Sequence, residues 1–358
     1  MHKTLTQRKA RLKDIADISG VSIGTVDRVL HERGEVAERT RKRVLKIARE
    51  LKYTPNLMAQ ALKTRKRFNL VSLLPLSTEE NSFWGKHPKG MDKAMSELDQ
   101  FPVILNQVTF DMNSEEDFQE KTEIVLRLNP DGILLAPIFK SESLSFCSVL
   151  SEEKIPFVFV DNYLNDTGFL AYIGENVFRS GRVAGQLTDL ITPAEKDILI
   201  VNIARNIQNM HHLNNRTKGF LSYFSDSGNN RGKKIRLNIP STDADIVKDS
   251  IDMIFRKHPG ISSIFVTGSK SYRIAQYLFS AGYKSINVVG YDLLERNVAL
   301  LKDGIIRFII GQRPEEQTYR AIKKLFEYLS LNKAPEKMDY LPIDIVTSEN
   351  VEFFSNNR

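Results

Sequence analysis

The sequence predicts a small all-α head followed by a larger α/β body, and three observations support this division. Residues 1–67 carry 18 Lys and Arg against 7 Asp and Glu, whereas the rest of the 358-residue chain carries 33 against 37. Apolar residues in the first segment recur at helical spacing. From Phe68 onward, short apolar runs alternate with amphipathic segments, which is typical of parallel strands covered by helices.

The bulk composition is that of a globular chain with a packed core, since 41% of residues are hydrophobic and 27% are charged. No apolar run approaches the length of about 18 residues that a membrane span needs. The basic start MHKTLTQRKARLKD lacks the apolar stretch of a signal peptide. A single cysteine, Cys147, excludes an internal disulfide framework. We therefore expect a cytoplasmic protein without a membrane span.

The head contains a pattern of three helices. Residues 12–19, LKDIADIS, predict a first helix that Gly20 ends, because glycine readily adopts a positive φ. Ser22 can cap a second helix that runs to about residue 31. The short corner between these helices indicates a helix-turn-helix, with residues 22–31 as the recognition helix in the major groove. A third helix is predicted over residues 38–52.

A short hinge follows the third helix. In TPNLMAQALKTRK, Pro55 favours a helix start, and Asn56 to Leu62 form a short apolar helix. Such a helix is marginal in water, so we expect it to form only when something else orders it. The density of basic residues in the head indicates phosphate contacts. A basic solvated tail is the alternative, and the helical periodicity argues against it.

The stretch from Lys13 to Lys66 resembles, without a gap, the DNA-binding head and hinge of the LacI/GalR (lactose-repressor) family. It includes GVS, TVxRVL, TRxxV and LxYxPNxxAxxL. The resemblance implies a sequence-specific DNA-binding transcriptional regulator, a repressor, that binds double-stranded operator DNA under the control of a small-molecule effector. It also implies DNA-binding roles for seven residues. These are Ser22, Ile23, Gly24 and Arg28 for bases, Thr25 and Asn56 for phosphates, and Leu62 as a minor-groove wedge.

This head departs from the family's common pattern at two places. Ile23-Gly24 replaces a pair that is often polar, so base discrimination there can rest on apolar contact with thymine methyl groups. Asp27 replaces a frequent serine, and an acid facing DNA is repulsive unless it pairs with Arg28 or reads a cytosine amino group. Both readings of Asp27 stay open, as does the operator sequence.

The body resembles the periplasmic-sugar-binding-protein fold that the same family carries after its hinge. DGILLAP, PFVFVDN, IGENVFRSGRVAG, RTKGF and INVVGYD are the matching stretches. The full expectation is an all-α helix-turn-helix head plus hinge helix, followed by an α/β two-lobed periplasmic-binding-protein-like domain. The expected boundaries are 1–54 for the head, 55–67 for the hinge helix and linker, 69–168 with 312–329 for lobe one, and 169–310 with 335–358 for lobe two.

Ligands of such sheets bind at the carboxyl ends of the strands. Polar and aromatic residues at predicted strand ends are therefore the candidate effector ligands: Phe83, Trp84, Asn162, Asn176, Arg216, Ser269, Tyr272, Asp292 and Gln312. The resemblance supports Arg216 and Asp292 most, and an aromatic face suits a sugar ring or a base. The alternatives are a turn or a cap for the polar residues and the core for Trp84.

No catalytic motif is present: GxSxG, GxxxxGK[ST] and HExxH are all missing. His211 and His212 are adjacent and point in different directions, so a shared metal is not expected. Cys147 lies in an amphipathic stretch and is expected to be a buried small hydrophobe. We expect no enzyme activity, no cofactor and no metal. The rival classes are a sugar-converting enzyme, a transport-type binding protein and an architectural DNA binder.

Family members bind near-palindromic operators as dimers, so we expect a homodimer through both lobes with paired hinge helices in the minor groove. A sugar or sugar derivative is the favoured effector, given the mixture of Trp, Asp, Arg and Asn. The alternative is a ligand-activated regulator that responds to a purine or another polar metabolite. Family members respond in both directions, so both release and promotion of DNA binding stay open.

Overall fold

The computed structural model describes residues 10–30, 34–51, 53, 66–204, 211–227 and 232–355. The chain divides into two compact units, Met1–Lys66 and Arg67–Arg358, which we call the head and the body. The hinge positions Asn56 and Leu62 lie outside the described residues. None of the described helices has both the length and the apolar composition that crossing a bilayer requires.

The head is built from helices α1 (Leu12–Ser19), α2 (Ile23–Leu30) and α3 (Glu38–Glu50). Gly20 ends α1 with a φ of 64°, a left-handed conformation that glycine adopts without strain. The helices pack through a small buried core that includes Ile15, Val26, Val29 and Ile47. The observed helices agree with the expected helix-turn-helix order.

The body contains two six-stranded sheets, one in each lobe. The sheet of the first lobe consists of β1 (Phe68–Pro75), β2 (Val103–Phe110), β3 (Gly132–Leu135), β4 (Phe157–Val160), β5 (Ala171–Gly174) and β11 (Met338–Tyr340). Its order is β11-β5-β4-β3-β1-β2, and all neighbours run parallel. β3, β4 and β5 are buried along their whole length, as parallel strands covered on both faces must be.

The sheet of the second lobe repeats this arrangement. It consists of β6 (Asp197–Ile203), β7 (Lys234–Ile239), β8 (Ile261–Val266), β9 (Asn287–Tyr291), β10 (Ile306–Gly311) and β12 (Asp344–Val346). Its order is β12-β10-β9-β8-β6-β7, with β12 antiparallel to β10. Strands β6 to β10 therefore occupy the positions that β1 to β5 occupy in the first sheet. The carboxyl end of β4 in one lobe corresponds to the carboxyl end of β9 in the other.

Helices cover both sheets. They are a 3-10 helix (Glu79–Lys86), α4 (His87–Glu97), α5 (Glu115–Arg127), α6 (Lys140–Glu152), α7 (Val177–Ile191), α8 (His211–Ser227), α9 (Ala244–Lys257), α10 (Ser271–Ser280), α11 (Glu295–Lys302), α12 (Pro314–Leu331) and α13 (Val351–Ser355). The chain passes between the lobes after β5, after β10 and between β11 and β12. Helix α12 returns to the first lobe and packs against α4 and the first sheet.

Two parts of the expected lobe boundaries differ from the structure. Strand β5 pairs with β4 in the first sheet, whereas the sequence predicts that residues from 169 onward belong to lobe two. Strand β11 pairs with β5, whereas the sequence predicts that residues 335–358 belong to lobe two. Both strands are short, and their composition does not indicate which sheet they join. The strand with which each one pairs decides its lobe. That partner depends on where the chain crosses from one lobe to the other.

Candidate functional site

The N-terminal end of α2 is exposed and internally ordered. The Ser22 Oγ accepts a hydrogen bond from the Thr25 backbone N–H at 3.1 Å and lies 2.9 Å from the Thr25 hydroxyl. Ser22 therefore caps the helix, as its position before Ile23 predicts. Ile23 is 49% exposed although it is apolar, and Gly24 and Arg28 are exposed beside it. The Arg28 Nε donates to the Gly24 carbonyl at 3.3 Å, which holds the guanidinium along this face.

The opposite face of α2 is committed to the head's core. Val26 and Val29 are buried against α1 and α3. A helix that buries one face and exposes its first turn can present that turn to a groove without losing its packing. The structure thus brings together Ser22, Ile23, Gly24, Thr25 and Arg28 at one end of α2. Their contacts with DNA stay a prediction.

The body contains a cleft of 420 Å³ between the two lobes. Residues of both lobes line it, including strand ends and the loops that follow them. Among the predicted effector residues, Phe83, Trp84, Arg216, Ser269, Asp292 and Gln312 line this cleft. Their binding of an effector stays a prediction.

Asp292 and Gln312 form the base of the cleft on the second lobe. The Gln312 Nε2 donates to the Asp292 Oδ1 at 2.8 Å. The Gln312 Oε1 is buried and has no hydrogen-bond partner among the described residues. Gln317 of α12 joins this pair to the first lobe, because its Nε2 donates to the Gln312 carbonyl at 2.9 Å and its Oε1 accepts from the Asp161 N–H at 2.8 Å. A buried acceptor without a donor suits a ligand hydroxyl.

Asp161 is a cleft residue that the sequence reasoning missed. It directly follows β4, as Asp292 directly follows β9, and both side chains are buried. Burial raises the pKa of each carboxyl to about 7, and the Arg216 guanidinium opposes this rise. The signal that could have found Asp161 is the repeated pattern of an apolar strand followed by aspartate in PFVFVD and INVVGYD.

Arg216 is held in place by a second missed residue, Glu175. The Nε and Nη2 of Arg216 donate to the Glu175 Oε1 at 2.9 and 2.6 Å, and Nη1 donates to the Thr267 carbonyl at 2.9 Å. The guanidinium also lies 3.7 Å from the centre of the Tyr291 ring. All three kinds of donor nitrogen are therefore engaged within the protein. Because Glu175 follows β5, this ion pair links the first crossover to α8.

Phe83 and Trp84 form an aromatic wall on the first lobe. Their rings meet edge to face at 5.3 Å, and the Trp84 ring stacks on His87 at 4.5 Å with an interplanar angle of 23°. Burial lowers the pKa of His87 to about 3, so this imidazole is neutral near pH 7. The stack fixes the orientation of the indole. Trp84 therefore belongs both to the core and to the cleft wall.

Three predicted effector residues are not brought into the cleft. Asn162 and Asn176 line a separate cavity of 860 Å³ beside α6, α7 and α8. Asn176 caps α7, where its Oδ1 accepts from the Arg179 N–H at 3.0 Å. Tyr272 is buried in the core of the second lobe, behind the loop that lines the cleft. Asp161, the neighbour of Asn162, lines the cleft instead, and so does Arg273 beside Tyr272.

Within the described ranges, no group of three His, Cys, Asp or Glu side chains is arranged to hold a metal ion. Cys147 lies in α6 and is buried, and burial raises the pKa of its thiol to about 12. A thiol with so high a pKa is a poor nucleophile near pH 7. Cys147 thus packs as a small hydrophobe.

Comparison with known proteins matches both units of the chain. Residues 11–56 match the family model for bacterial regulatory proteins of the lacI family, and residues 72–334 match that for the periplasmic binding protein domain. The HTH-type transcriptional regulator DegA of Bacillus subtilis is 31% identical over 42% of this chain and 44% of its own length. The ribose operon repressor of Lactococcus lactis is 27% identical over 60% of each chain. The chain thus aligns with about half the length of these two relatives.

A solved structure supports the same assignment. A protein described as a LacI transcriptional regulator from Bacteroides fragilis is 29% identical, with a TM-score of 0.76 over 80% of this chain and 99% of that one. These matches confirm the helix-turn-helix head and the two-lobed body. The chain therefore belongs to the lacI family of bacterial regulatory proteins, and its body is a periplasmic binding protein domain.

Proposed function

We propose that this protein is a sequence-specific transcriptional repressor whose binding to operator DNA is controlled by a sugar or sugar derivative in the interlobe cleft. The observation that carries the proposal is the presence, in one chain, of an exposed and capped α2 terminus in the head and a cleft with buried hydrogen-bonding groups in the body. A regulator of this kind acts on operators in the cytoplasm, and the proposal includes that compartment.

The chemistry of the cleft favours a ligand rich in hydroxyl groups. Asp161, Asp292 and Gln312 provide acceptor oxygens that line it, and each good hydrogen bond to an ionised carboxylate contributes about 1.5–3 kcal/mol. The Trp84 wall can cover the C–H face of a sugar ring. Relatives named after ribose and sucrose operons agree with this ligand class.

The proposal includes a homodimer, because a two-fold symmetric protein matches a near-palindromic site. The second lobe carries an apolar surface suited to a second copy. Met253 of α9 is 65% exposed and Phe279 of α10 is 70% exposed. Ile246 lies seven residues before Met253, on the same face of α9, and Tyr283 follows α10. Helices α9 and α10 contact each other, and exposed apolar side chains on adjacent helices of this kind mark interaction surfaces.

Selection of operator sequences from a random duplex library tests the proposal. The full-length protein is expected to enrich a near-palindromic sequence, and a panel of sugars and nucleobases is then screened for thermal stabilisation and for operator release. Leu62→Ala should weaken operator binding far more than effector binding. Enrichment of no sequence motif would contradict the DNA-reading role, and stabilisation by purines alone would favour the alternative effector class.

A further inference from the structure

We infer that the effector is anionic: a polyhydroxylated ligand that carries a phosphate or carboxylate group, bound with its hydroxyls at Asp292 and its anionic group at Arg273. This inference rests on the proposed function, since it names the class of ligand that the same cleft accepts. It follows from two buried polar atoms of the cleft that lack partners among the described residues, one an acceptor and the other a cationic donor.

The first of these atoms is the Gln312 Oε1. The amide nitrogen of Gln312 donates to Asp292, which fixes the orientation of the amide and leaves the oxygen as an acceptor. Asp292 and Asp161 are acceptors in the same region of the cleft whenever they are ionised. This end of the cleft therefore requires a donor, and a hydroxyl group is a neutral donor that fits it.

The second atom is the Nε of Arg273, in the first turn of α10. It is buried and has no hydrogen-bond partner in the part of the chain that the structure describes. The guanidinium packs near the Tyr272 ring, with its central carbon 5.2 Å from the ring centre. Among the described residues no carboxylate lies within ion-pair distance of Arg273, although the side chain lines the cleft. A partly buried guanidinium in a ligand cleft calls for an oxyanion acceptor.

The surroundings of Arg273 add positive potential. Helix α10 begins two residues before Arg273, with no side chain capping its N-terminus. The helix N-terminus carries a partial positive charge, which favours an anion in its first turn. The loop before it is fixed, because the Asn297 Nδ2 donates to the carbonyls of Ser269 and Asp292 at 2.9 Å each.

Arg216 and the acidic residues that line the cleft do not bind the ligand's anionic group. Arg216 uses its donors on Glu175 and the Thr267 carbonyl, so it is not an equivalent anion receptor. Asp243 lines the cleft, but its Oδ1 caps α9 by accepting from the N–H groups of Asp245 and Ile246. Asp161 lies at the acceptor end. The cleft thus has an acceptor end and a cationic wall, and a neutral sugar would match the acceptor end alone.

Binding measurements with matched ligand pairs test this inference. Full-length protein is titrated by calorimetry with glucose, glucose 6-phosphate and gluconate, and with ribose and ribose 5-phosphate. We expect binding by a phosphorylated or carboxylated member, weakening at high salt, and at least tenfold weaker binding by its neutral parent. The phosphate and carboxylate members of the panel identify which oxyanion the wall prefers.

Variants locate the anion. Arg273→Gln should weaken binding of the anionic ligand by about 10- to 100-fold and leave the affinity for the neutral parent unchanged. Arg273→Lys keeps the charge but loses the planar guanidinium with its paired N–H donors. Its affinity for the anionic ligand should lie between those of the unsubstituted protein and Arg273→Gln. Arg256→Gln is the matched control, because Arg256 is exposed on α9 and does not line the cleft.

Each result bears on the inference. Equal or tighter binding of the neutral sugar, or a Kd for the anionic ligand that Arg273→Gln leaves unchanged, would overturn it. Binding by none of these ligands would also count against it. A neutral sugar that releases the operator would overturn the anionic effector while leaving the proposed repressor intact. Failure of the protein to select any operator would instead remove the proposed function.

Discussion

Asp161 and Asp292 occupy corresponding positions in the two lobes, each directly after the fourth strand of its sheet and each with a left-handed backbone. Their φ values are 66° and 70°, in a region that non-glycine residues adopt at some cost. Both carboxyls are buried and both interact with the Arg216 charge. One guanidinium from α8 thus lies under the electrostatic influence of both strand ends.

The stability of the body should fall as pH rises through the neutral range. Burial raises the pKa of Asp161 and of Asp292 from 3.8 to about 7, so the folded body binds protons more tightly than the unfolded chain. The contribution of these protons is complete below about pH 4 and is lost as pH rises through about 7. The unfolding free energy of the body at each pH is measured by urea unfolding, followed by the fluorescence of Trp84, the one tryptophan of the chain.

Substitution isolates the two carboxyls in this pH dependence. Asp161→Asn and Asp292→Asn each mimic the protonated acid, so each should reduce the loss of stability between pH 5 and pH 8. At pH 8 each variant should gain on the order of 2 kcal/mol over the unsubstituted protein. Exposed Asp303→Asn serves as the control. A pH dependence that neither cleft variant alters would contradict the assigned origin.

The buried ion pair between Arg216 and Glu175 should be costly to break. Glu175→Ala leaves a buried guanidinium without its carboxylate, and we expect a loss of about 3–5 kcal/mol in the unfolding free energy of the body. Glu175→Ala combined with Arg216→Met should lose less than the sum of the single variants, because no uncompensated charge remains. Additive losses in the same urea experiment would show that the two side chains are not coupled.

The order of elements follows from the sequence because each element carries a local signal. Helical periodicity and Gly20 define the head, and fully apolar runs define β3 and β4. The residues that line the cleft are harder to predict from sequence, because the outcome depends on which of two adjacent polar residues faces inward. Asp161 rather than Asn162 lines the cleft because the left-handed turn after β4 sets the direction of each side chain. Spacing along the chain does not contain that information.

Some cleft partners were missed for the same reason. Glu175 and Arg216 are 41 residues apart and meet because the first crossover passes beside α8. Gln317 and Asp161 are 156 residues apart, and they meet because helix α12 returns to the first lobe. No local sequence pattern predicts such contacts. They depend on the tertiary arrangement of the lobes.

Ile23 should contribute to operator discrimination through apolar contact. Ile23→Ala removes an exposed side chain without touching the head's core, so the head should keep its stability. We expect roughly tenfold weaker binding to the selected operator and little change on random DNA. Ile18→Ala, an equally apolar and exposed change on α1, is the matched control. Equal losses on both DNAs in an anisotropy titration would mean that Ile23 reads no base.

The apolar surface of the second lobe should support the dimer. Met253→Asp together with Phe279→Asp introduces two charges on a surface that can associate with a second copy only when water is excluded. We therefore expect the variant to be monomeric in multi-angle light scattering at micromolar concentration. The variant should fold, because both side chains are mostly exposed. Phe353→Asp, also exposed and on α13, is the control. A dimer that survives the double substitution would place the interface elsewhere.

Control of DNA binding through the interlobe cleft is tested most directly by anisotropy titration of the selected operator. The titration is run with and without the identified effector, for the unsubstituted protein and for Asp292→Ala. We expect the effector to change the operator Kd of the unsubstituted protein by at least tenfold, in either direction. Asp292→Ala should bind operator with unchanged affinity and lose that response. An effector response that survives Asp292→Ala would contradict control through the interlobe cleft.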